Sequence, residues 1–441
     1  MESNARGTPP PNGERTRSGW LDAVWEQVPV RCRPALKLET RFNVGYGAYI
    51  ALYPLSSVAL KTVLDGTETH LAVLAAAFGG TSLLSPAISY LAQWIRMRSL
   101  VVYPASLIGT LLFLTALPQL GTDAFTALIV LTLIINVAPR VAEMNMFRAV
   151  YPPLKRGTAV GWLKAVAATS GLAITWIGFG WFELWPAGYS GLYCLVGALM
   201  VFAAFSYARI PVRRRDVFHR DESRPPWSMF AQAIGVLARD GRFLQYQFGT
   251  AVAGLANHLA VAFVAEVLKE DLHAGSEVIG LCVAILPAVL VTASSPMWGP
   301  FLDRVNPMVG RFAINMMAGL GFACYALGSD FNQVWLFVVG ASIWSIGNGG
   351  GVINWLTGSQ YFARDAHIAL YTSVHVTLTG IRGLLAPLLG LWLFSNSGLG
   401  LRSGIFWLAA AFSLLGGLMM LWQGLRDPGP VEGTEHGRME P

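Results

Sequence analysis

Hydrophobic residues form twelve long runs along the chain, and short polar stretches separate them. A helix needs about 20 residues to cross the hydrocarbon layer of a membrane, and most of the runs reach that length. The pattern therefore predicts an all-α integral membrane protein with twelve transmembrane helices. The predicted helices cover residues 42–64, 68–94, 99–118, 124–149, 157–181, 186–208, 244–268, 276–301, 309–328, 333–359, 367–394 and 402–424.

The longest polar connection, residues 209–243, separates six predicted helices from the other six. This division predicts two bundles of six helices that are joined by a cytoplasmic linker. The predicted domains are a tail at 1–41, bundles at 42–208 and 244–424 on either side of the linker, and a second tail at 425–441.

A weak internal repeat indicates that the two bundles are copies of one unit. Ser85 and Ser295, each followed by proline, are as far apart in sequence as Gly109 and Gly319. The same offset separates two tyrosines, Tyr151 and Tyr361. Repeats of this kind are the sequence signature of duplicated architectures, so the bundles are predicted to be pseudo-symmetric.

Two shorter stretches outside the bundles predict amphipathic helices. In the N-terminal tail, the apolar residues of 18–28 fall on one helical face, and those of 227–237 do the same in the linker. A helix with one apolar face and one polar face lies at the membrane surface. The N-terminus has no short apolar core followed by a cleavage site, so no removable signal peptide is expected.

The charge of the chain agrees with a membrane location. Charged residues make up 13% of the sequence and apolar residues 54%, whereas soluble domains contain about 25% charged residues. When alternate loops are assigned to opposite sides, the side with the linker receives most of the 31 Lys and Arg residues. The other side receives only Lys61, Lys269 and Arg402. The positive-inside rule therefore predicts that both termini are cytoplasmic and that the protein lies in the cytoplasmic (inner) membrane.

The sequence also narrows the chemistry of the protein. The net charge of +6 is divided among several loops and forms no single patch, so a nucleic-acid partner is not expected. The four cysteines show no metal-ligand spacing. The glycine-rich stretch 347–351 lacks the Lys-Ser/Thr that completes a phosphate-binding loop. We therefore expect no enzymatic activity, no cofactor, no metal and no ATP-binding site in this chain.

Polar side chains inside the predicted helices mark candidate binding residues, because a polar group in a membrane is costly unless it faces protein or water. The third helix of each triplet has few of them and is predicted to face lipid. The others carry the candidates for solute binding or proton transfer, which are Tyr49, Arg140, Glu143, Lys164, His258, Asn348, His375 and Arg382.

The charged candidates lead to the most specific predictions. Arg140 and Glu143 are three residues apart, so they share a helix face and are expected to neutralise each other. Lys164 then has no acidic partner and is expected to reach toward the headgroups or to assist Arg382. Arg382 lies near the centre of the bilayer, where it either binds an anionic group of the solute or bonds backbone carbonyls as a structural clamp. Protonation of Glu143 is expected to free Arg140 and to couple protons to transport.

The remaining candidates each have a functional and a structural reading. His258 and His375 either relay protons or pack as hydrogen-bonded residues. Tyr49 belongs to a helical stripe of tyrosines that either stacks on a ring-shaped solute or fills the core. Asn348 either contacts the solute or lines a closely packed glycine-rich helix.

The turn after the eighth predicted helix resembles the loop signature of the major facilitator superfamily. The matching residues are Gly299, Asp303, Arg304, Gly310 and Arg311, with a longer gap that contains Asn306 and Pro307. The first half has Ser89, Gln93 and Trp94 at the equivalent positions, so Gln93 cannot supply the charge. With the six-plus-six arrangement, the resemblance covers residues 40–425. It implies that Gly299, Asp303, Arg304 and Arg311 gate the cytoplasmic side, whereas a solvated turn pair is the alternative reading of Asp303 and Arg304.

The resemblance implies a secondary active transporter that works by alternating access. The predicted cargo is a small solute, with an organic anion as the first class to test, and the predicted partners are that solute and membrane lipids around a monomer. One alternative is efflux of hydrophobic or drug-like compounds, which favours acidic cavity residues, whereas Glu143 is the only carboxylate deep in a predicted helix. A second alternative is a membrane scaffold or sensor that keeps the fold and transports nothing.

Overall fold

The structure is a computed structural model that describes residues 26–92, 94–115, 117, 120–185, 188–211, 228–261, 263–363, 367–394, 400–427 and 429. The described residues form helices and connecting turns, with no β-strand among them. Residues 18–25 of the predicted N-terminal amphipathic helix, Gln93 and residues 212–227 of the linker lie outside the described residues.

Six helices form the N-terminal bundle, and two of them are interrupted. They are α1 (Arg33–Thr62), α2 (Glu68–Gly80, a 3₁₀ turn at Thr81–Leu84, and Ser85–Leu91), α3 (Met97–Leu114), α4 (Thr122–Ile135 and Val137–Val150), α5 (Pro153–Leu184) and α6 (Tyr189–Ala208).

Six further helices form the C-terminal bundle. They are α7 (Gly241–Val261, Val264–Glu266 and a π-helical turn at Val267–Asp271), α8 (Ser276–Gly280, a π-helical turn at Leu281–Ile285, and Leu286–Leu302), α9 (Pro307–Asp330), α10 (Val334–Thr357 with a 3₁₀ turn at Gly358–Phe362), α11 (Ile368–Phe394) and α12 (Gly404–Leu425). A linker helix, Ser228–Arg239, precedes α7.

Ten of these helices are long and apolar enough to cross a membrane. The other two are α1, which spans 30 residues but carries more polar side chains, and α2, which the 3₁₀ turn interrupts. Apart from the linker helix, the described residues therefore contain the twelve helices that the hydrophobic pattern predicts.

Helix α1 begins earlier than the sequence pattern predicts, at Arg33 rather than at residue 42. Pro34 occupies its first turn. Proline is favoured there because the N–H groups of the first turn have no partner within the helix. The early start places Glu39 inside α1 instead of in the N-terminal tail.

Each bundle has its own hydrophobic core. In the N-terminal bundle α1 packs on α5 and α6, and α3 packs on α6; in the C-terminal bundle α9 packs on α10 and α12, and α7 packs on α12. The linker helix packs on α2, α7 and α11, with Leu237 against the apolar cluster around Phe243, while Ile234 is exposed. The helix thus contacts both bundles.

Two seams join the bundles, α5 with α8 and α2 with α11. Glycine allows the backbones to approach closely in the first seam, since a Cβ atom on Gly299 would lie 2.5 Å from the carbonyl oxygen of Gly157. A Cβ atom on Gly79 in the second seam would lie 3.2 Å from the backbone of Gly383. The seams involve equivalent helices of the two halves, as a pseudo-symmetric pair of bundles requires.

Candidate solute site and gate

A cavity of about 210 Å³ lies inside the C-terminal bundle, between α7, α9, α10 and α11. Three of the predicted solute-binding residues line it, namely His258, Asn348 and Arg382. Two aromatic side chains, Trp344 and Trp355, also line it. The Trp344 Nε1 group donates 2.6 Å to the Oδ1 atom of Asn257, and the Trp355 Nε1 group donates 3.1 Å to the Thr379 hydroxyl. These bonds fix the orientation of both rings.

Arg382 reaches from α11 toward α7. Its Nη1 atom donates 2.9 Å to the carbonyl oxygen of Thr250, and its buried Nε atom has no partner within the described residues. Gly254 makes room for the guanidinium, because a Cβ atom there would lie 2.3 Å from the Arg382 Cζ atom. Arg382 therefore bonds a backbone carbonyl, as the structural alternative predicts, and this carbonyl lies on α7.

Helix α9 also contributes to the cavity, which corrects the expectation that this helix only faces lipid. Arg311 lines the cavity with 8% of its surface exposed, and its Nε atom is buried without an acceptor among the described residues. One turn later, Asn315 lines the cavity too, and its Nδ2 atom is equally unpartnered there. The four-residue spacing puts both side chains on one helix face. Arg311 thus lies in the cavity rather than at the surface of the gating loop.

The N-terminal bundle contains a buried ion pair that the sequence analysis assigned to the wrong residues. The Lys164 Nζ atom lies 3.0 and 3.1 Å from the two carboxylate oxygens of Glu143. The ammonium group also lies 5.6 Å from the ring centres of Tyr46 and Phe147, within cation–π range. Lys164 therefore does not extend to the headgroups.

Arg140 does not pair with Glu143. Its Nη1 atom donates 3.2 Å to the hydroxyl of Ser82, in the 3₁₀ turn of α2. Helical spacing placed the two side chains on one face, but it could not fix which neighbouring helix each would meet. The neighbours decide the pairing, since α5 brings Lys164 to Glu143 and α2 brings Ser82 to Arg140.

The gate prediction concerns Asp303, directly after α8. Its carboxylate accepts hydrogen bonds from the Gly157 N–H at 2.5 Å, the Thr158 N–H at 2.8 Å and the Thr158 hydroxyl at 2.6 Å. These donors lie near the N-terminal end of α5, where the helix dipole favours an anion. Burial raises the pKa of the Asp303 carboxyl, and the hydrogen bonds from Thr158 and Gly157 oppose that rise. Arg304 is exposed beside it.

Further hydrogen bonds join the bundles on the same side of the molecule as the linker, here called the linker side. The Gln360 Nε2 atom donates 2.6 Å to the carbonyl of Met144, and the Arg148 Nη1 atom donates 3.1 Å to the carbonyl of Gln360. In the other seam, the Ser85 hydroxyl lies 2.7 Å from that of Thr377. The linker side is thus closed by contacts at several places.

Comparison with known proteins identifies this architecture. A sequence model described as the Major Facilitator Superfamily matches residues 246–439. The E. coli fucose:proton symporter FucP has a similar structure, with a TM-score of 0.70 at 10% identity over 89% of this chain and 99% of that chain. The chain has the major facilitator fold. The proton:xylose symporter XylE bound to 6-bromo-6-deoxy-D-glucose is also similar, with a TM-score of 0.65 at 13% identity over 89% of this chain and 95% of that chain.

These similarities confirm the predicted fold class, an all-α membrane fold of the major facilitator type with twelve helices in two bundles. A double-tryptophan variant of XylE has a TM-score of 0.69 at 15% identity and covers 94% of this chain. No curated protein sequence gives a significant match. At these identities the structural neighbours establish the fold of the chain and not its substrate.

The other predicted site residues lie outside the cavity. The Tyr49 side chain is buried in the N-terminal core, where its hydroxyl lies 3.4 Å from that of Thr132. His375 is also buried, with its Nδ1 atom 3.0 Å from the Oε1 atom of Gln247. Arg140, Glu143 and Lys164 belong to the other bundle. Only His258, Asn348, Arg382 and Arg311 of the predicted functional residues share the cavity.

One buried carboxyl group was not predicted from the sequence. Glu39 on α1 has no exposed surface, and the Tyr151 hydroxyl donates 2.5 Å to its Oε2 atom. Its Oε1 atom has no partner among the described residues. The helix-start signal of Pro34 would have placed Glu39 in the first helix and identified it as a candidate.

Proposed function

We propose that the protein is a secondary active transporter that moves a small anionic solute across the cytoplasmic membrane by alternating access. The observation that carries this proposal is the cavity of the C-terminal bundle. Arg311 and Arg382 line it, and no Asp or Glu is found among its described lining residues. A buried guanidinium without a counter-charge is costly, and a carboxylate or phosphate binds its fork of donors through two oxygens at once.

The size and charge of the cavity argue against efflux of drug-like cations. Pockets for drug-sized ligands enclose about 300–1,000 Å³, and this cavity encloses about 210 Å³. Its two arginines would also repel a cationic compound. A solute of a few carbon atoms with at least one anionic group fits both properties.

The ion pair of Glu143 and Lys164 supports a role for protons in the cycle. Both side chains are buried, and each supplies the other's counter-charge. Protonation of Glu143 would leave the Lys164 ammonium without its partner, which changes the energy of the bundle by the cost of an unpaired buried charge. We propose that this pair, rather than Arg140 and Glu143, couples protons to solute movement.

The contacts around Asp303 support a state that is closed on the linker side. We propose that this side is cytoplasmic, because it receives most of the Lys and Arg residues. The state would then be open to the outside. A structure of FucP described as being in the outward conformation has a TM-score of 0.70 to this chain at 10% identity.

A neutral sugar is the second candidate solute. The fold neighbours include a fucose and a xylose symporter, and the rings of Trp344 and Trp355 and the amide of Asn348 suit a sugar ring and its hydroxyls. A neutral sugar would leave the two arginines of the cavity without a counter-charge, so we favour an anion over a sugar.

Uptake and counterflow in proteoliposomes test the proposal against a panel of small carboxylates and phosphates, xylose and fucose, nucleosides, and cationic dyes. We expect transport of an anion that depends on a proton gradient. Arg382→Gln should abolish it in a folded protein, and Arg382→Lys should restore little, since an ammonium lacks the planar fork. Transport of sugars alone would overturn the anion, and movement of no solute would favour a scaffold or sensor.

A further inference from the structure

The cavity contains two arginines, and their number bears on how many negative charges the solute has. Two basic side chains elsewhere in the described residues, one in each bundle, show compensation by a carboxylate. Lys164 faces Glu143, and Arg242 bonds to Asp427, whose side chain is 1% exposed. In the cavity, Arg311 and Arg382 are both lining residues, and no Asp or Glu is among the described residues that line it. This part of the protein therefore collects two positive charges without supplying a negative one.

The two arginines also differ in what they bond. Arg382 gives one hydrogen bond to the Thr250 carbonyl. Arg311 has neither a hydrogen bond nor a carboxylate partner within the described residues, although 92% of its surface is buried. Its neighbour on α9, Asn315, contributes a second buried donor without an acceptor. A buried donor left unpaired destabilises the folded protein, and a charged donor does so more strongly. The α9 wall of the cavity thus offers donors that the protein leaves unsatisfied.

We infer that the solute is a small dianion, with one anionic group held by Arg382 and the second by Arg311 and Asn315. This inference rests on the proposed anion site and adds Arg311 as the residue that distinguishes two charges from one. A monoanion would neutralise one guanidinium and leave the other buried without a counter-charge. A dianion neutralises both and also supplies acceptors for the donors of α9. Dicarboxylates and phosphate-bearing carboxylates of a few carbon atoms have this chemistry.

The test compares matched pairs that differ by one carboxylate: butyrate with succinate, valerate with glutarate, and benzoate with isophthalate. Binding to the purified full-length protein is measured by calorimetry and by the shift of the unfolding temperature. We expect at least one dianion to bind about tenfold or more tightly than its monoanion, which corresponds to about 1.4 kcal/mol. Equal affinities within every pair would overturn the inference that the solute is a dianion, but not the proposal that the cavity binds an anion. Binding of none of the six, together with the absence of anion transport, would overturn both.

Variants of Arg311 then locate the second charge. Arg311→Gln should lower the affinity for the dianion about tenfold and leave that for the monoanion within threefold, whereas Arg382→Gln should weaken both. Arg311→Lys should keep part of the preference, because the positive charge remains. Arg239→Gln, which removes an exposed arginine from the linker helix, is the control and should change neither affinity.

The unfolding temperature distinguishes a solute contact from a purely structural role of Arg311. If Arg311 binds the solute, Arg311→Gln removes an uncompensated buried charge, so the unfolding temperature of the solute-free protein should stay unchanged or rise. The stabilisation by succinate should be lost. A lower unfolding temperature of Arg311→Gln with an unchanged preference for the dianion would assign Arg311 to the architecture and overturn the inference. If Arg311→Gln does not fold, the native protein is compared with Arg311→Lys instead. A dianion affinity and a preference for the dianion that are both unchanged in Arg311→Lys would count against a contact between the Arg311 guanidinium and the second anionic group.

Discussion

The two bundles differ at one pair of buried positions. In the N-terminal bundle Lys164 and Glu143 neutralise each other at 3.0 Å. In the C-terminal bundle Arg311 and Arg382 share a cavity with no carboxylate among its described lining residues. A bundle with internal compensation is stable by itself and can respond to a proton, whereas a bundle without it gains a counter-charge from what it binds. In the transport cycle that we propose, one half responds to protons and the other recognises the solute.

The largest expected effect comes from removal of one partner of the compensated pair. Glu143→Gln preserves shape but leaves the Lys164 ammonium buried without a carboxylate, which should lower the free energy of unfolding by about 3 kcal/mol. Arg382→Gln removes a charge that has no carboxylate partner, so stability in the absence of solute should stay within about 1 kcal/mol or rise. Unfolding of the purified variants in detergent measures both values.

A double variant serves as the control for this comparison. Lys164→Met combined with Glu143→Gln removes both charges and should recover most of the loss seen with Glu143→Gln alone, as a coupled pair requires. Equal losses for Glu143→Gln and Arg382→Gln would show that the two bundles do not differ in charge compensation.

The sequence predicted the fold more completely than the contacts of the site. Apolar runs about 20 residues long and the distribution of basic loops depend on the membrane alone, so they can be read without tertiary information. The Arg140–Glu143 pair failed because local spacing cannot specify which neighbouring helix a side chain meets. Arg382 was found because an arginine in an apolar run is rare. Arg311 was assigned to the loop signature, and only the packing of α9 places it in the cavity.

At the predicted gate, donors of the N-terminal bundle bond to the Asp303 carboxylate of the C-terminal bundle. Asp303→Asn keeps the size of the side chain but replaces one acceptor oxygen by a donor that faces the N–H groups of α5. Hydrogen bonds to a charged group contribute about 1.5–3 kcal/mol, so the closed state should lose about 2 kcal/mol. Spin labels at Leu154 and Phe301 should report a longer distance on the linker side.

Arg304→Gln is the control for the gate, because Arg304 is exposed next to the contact. It should leave the distance distribution unchanged. If Asp303→Asn is expressed normally and its spin-label distances are also unchanged, the Asp303 contact does not control the equilibrium between the closed and open states.

A steric variant should weaken the same seam by a smaller amount. Gly299→Ala would place a Cβ atom 2.5 Å from the carbonyl oxygen of Gly157, so the two backbones must separate. We expect a cost of about 1 kcal/mol for the closed state. Gly280→Ala on the same helix has nothing within 4 Å of the added atom and should leave closure unchanged. Equal behaviour of the two variants in the distance measurement would show that close approach at Gly299 does not limit closure.

The smallest effect is expected at Tyr49, and it tests whether solute recognition is confined to the C-terminal bundle. The Tyr49 hydroxyl lies 3.4 Å from that of Thr132, which exceeds the usual length of about 2.5–3.0 Å for such a bond. Tyr49→Phe keeps the buried ring and loses only this weak contact, so stability should change by less than about 0.5 kcal/mol. Thr132→Val removes the same contact from the other partner, and a double-mutant cycle should give no coupling energy. The apparent KM for the solute should be unchanged in both variants, because the ring packs in the core and does not line the cavity. A severalfold rise of KM in Tyr49→Phe with normal stability would mean that the solute reaches α1, and recognition would then belong to both bundles.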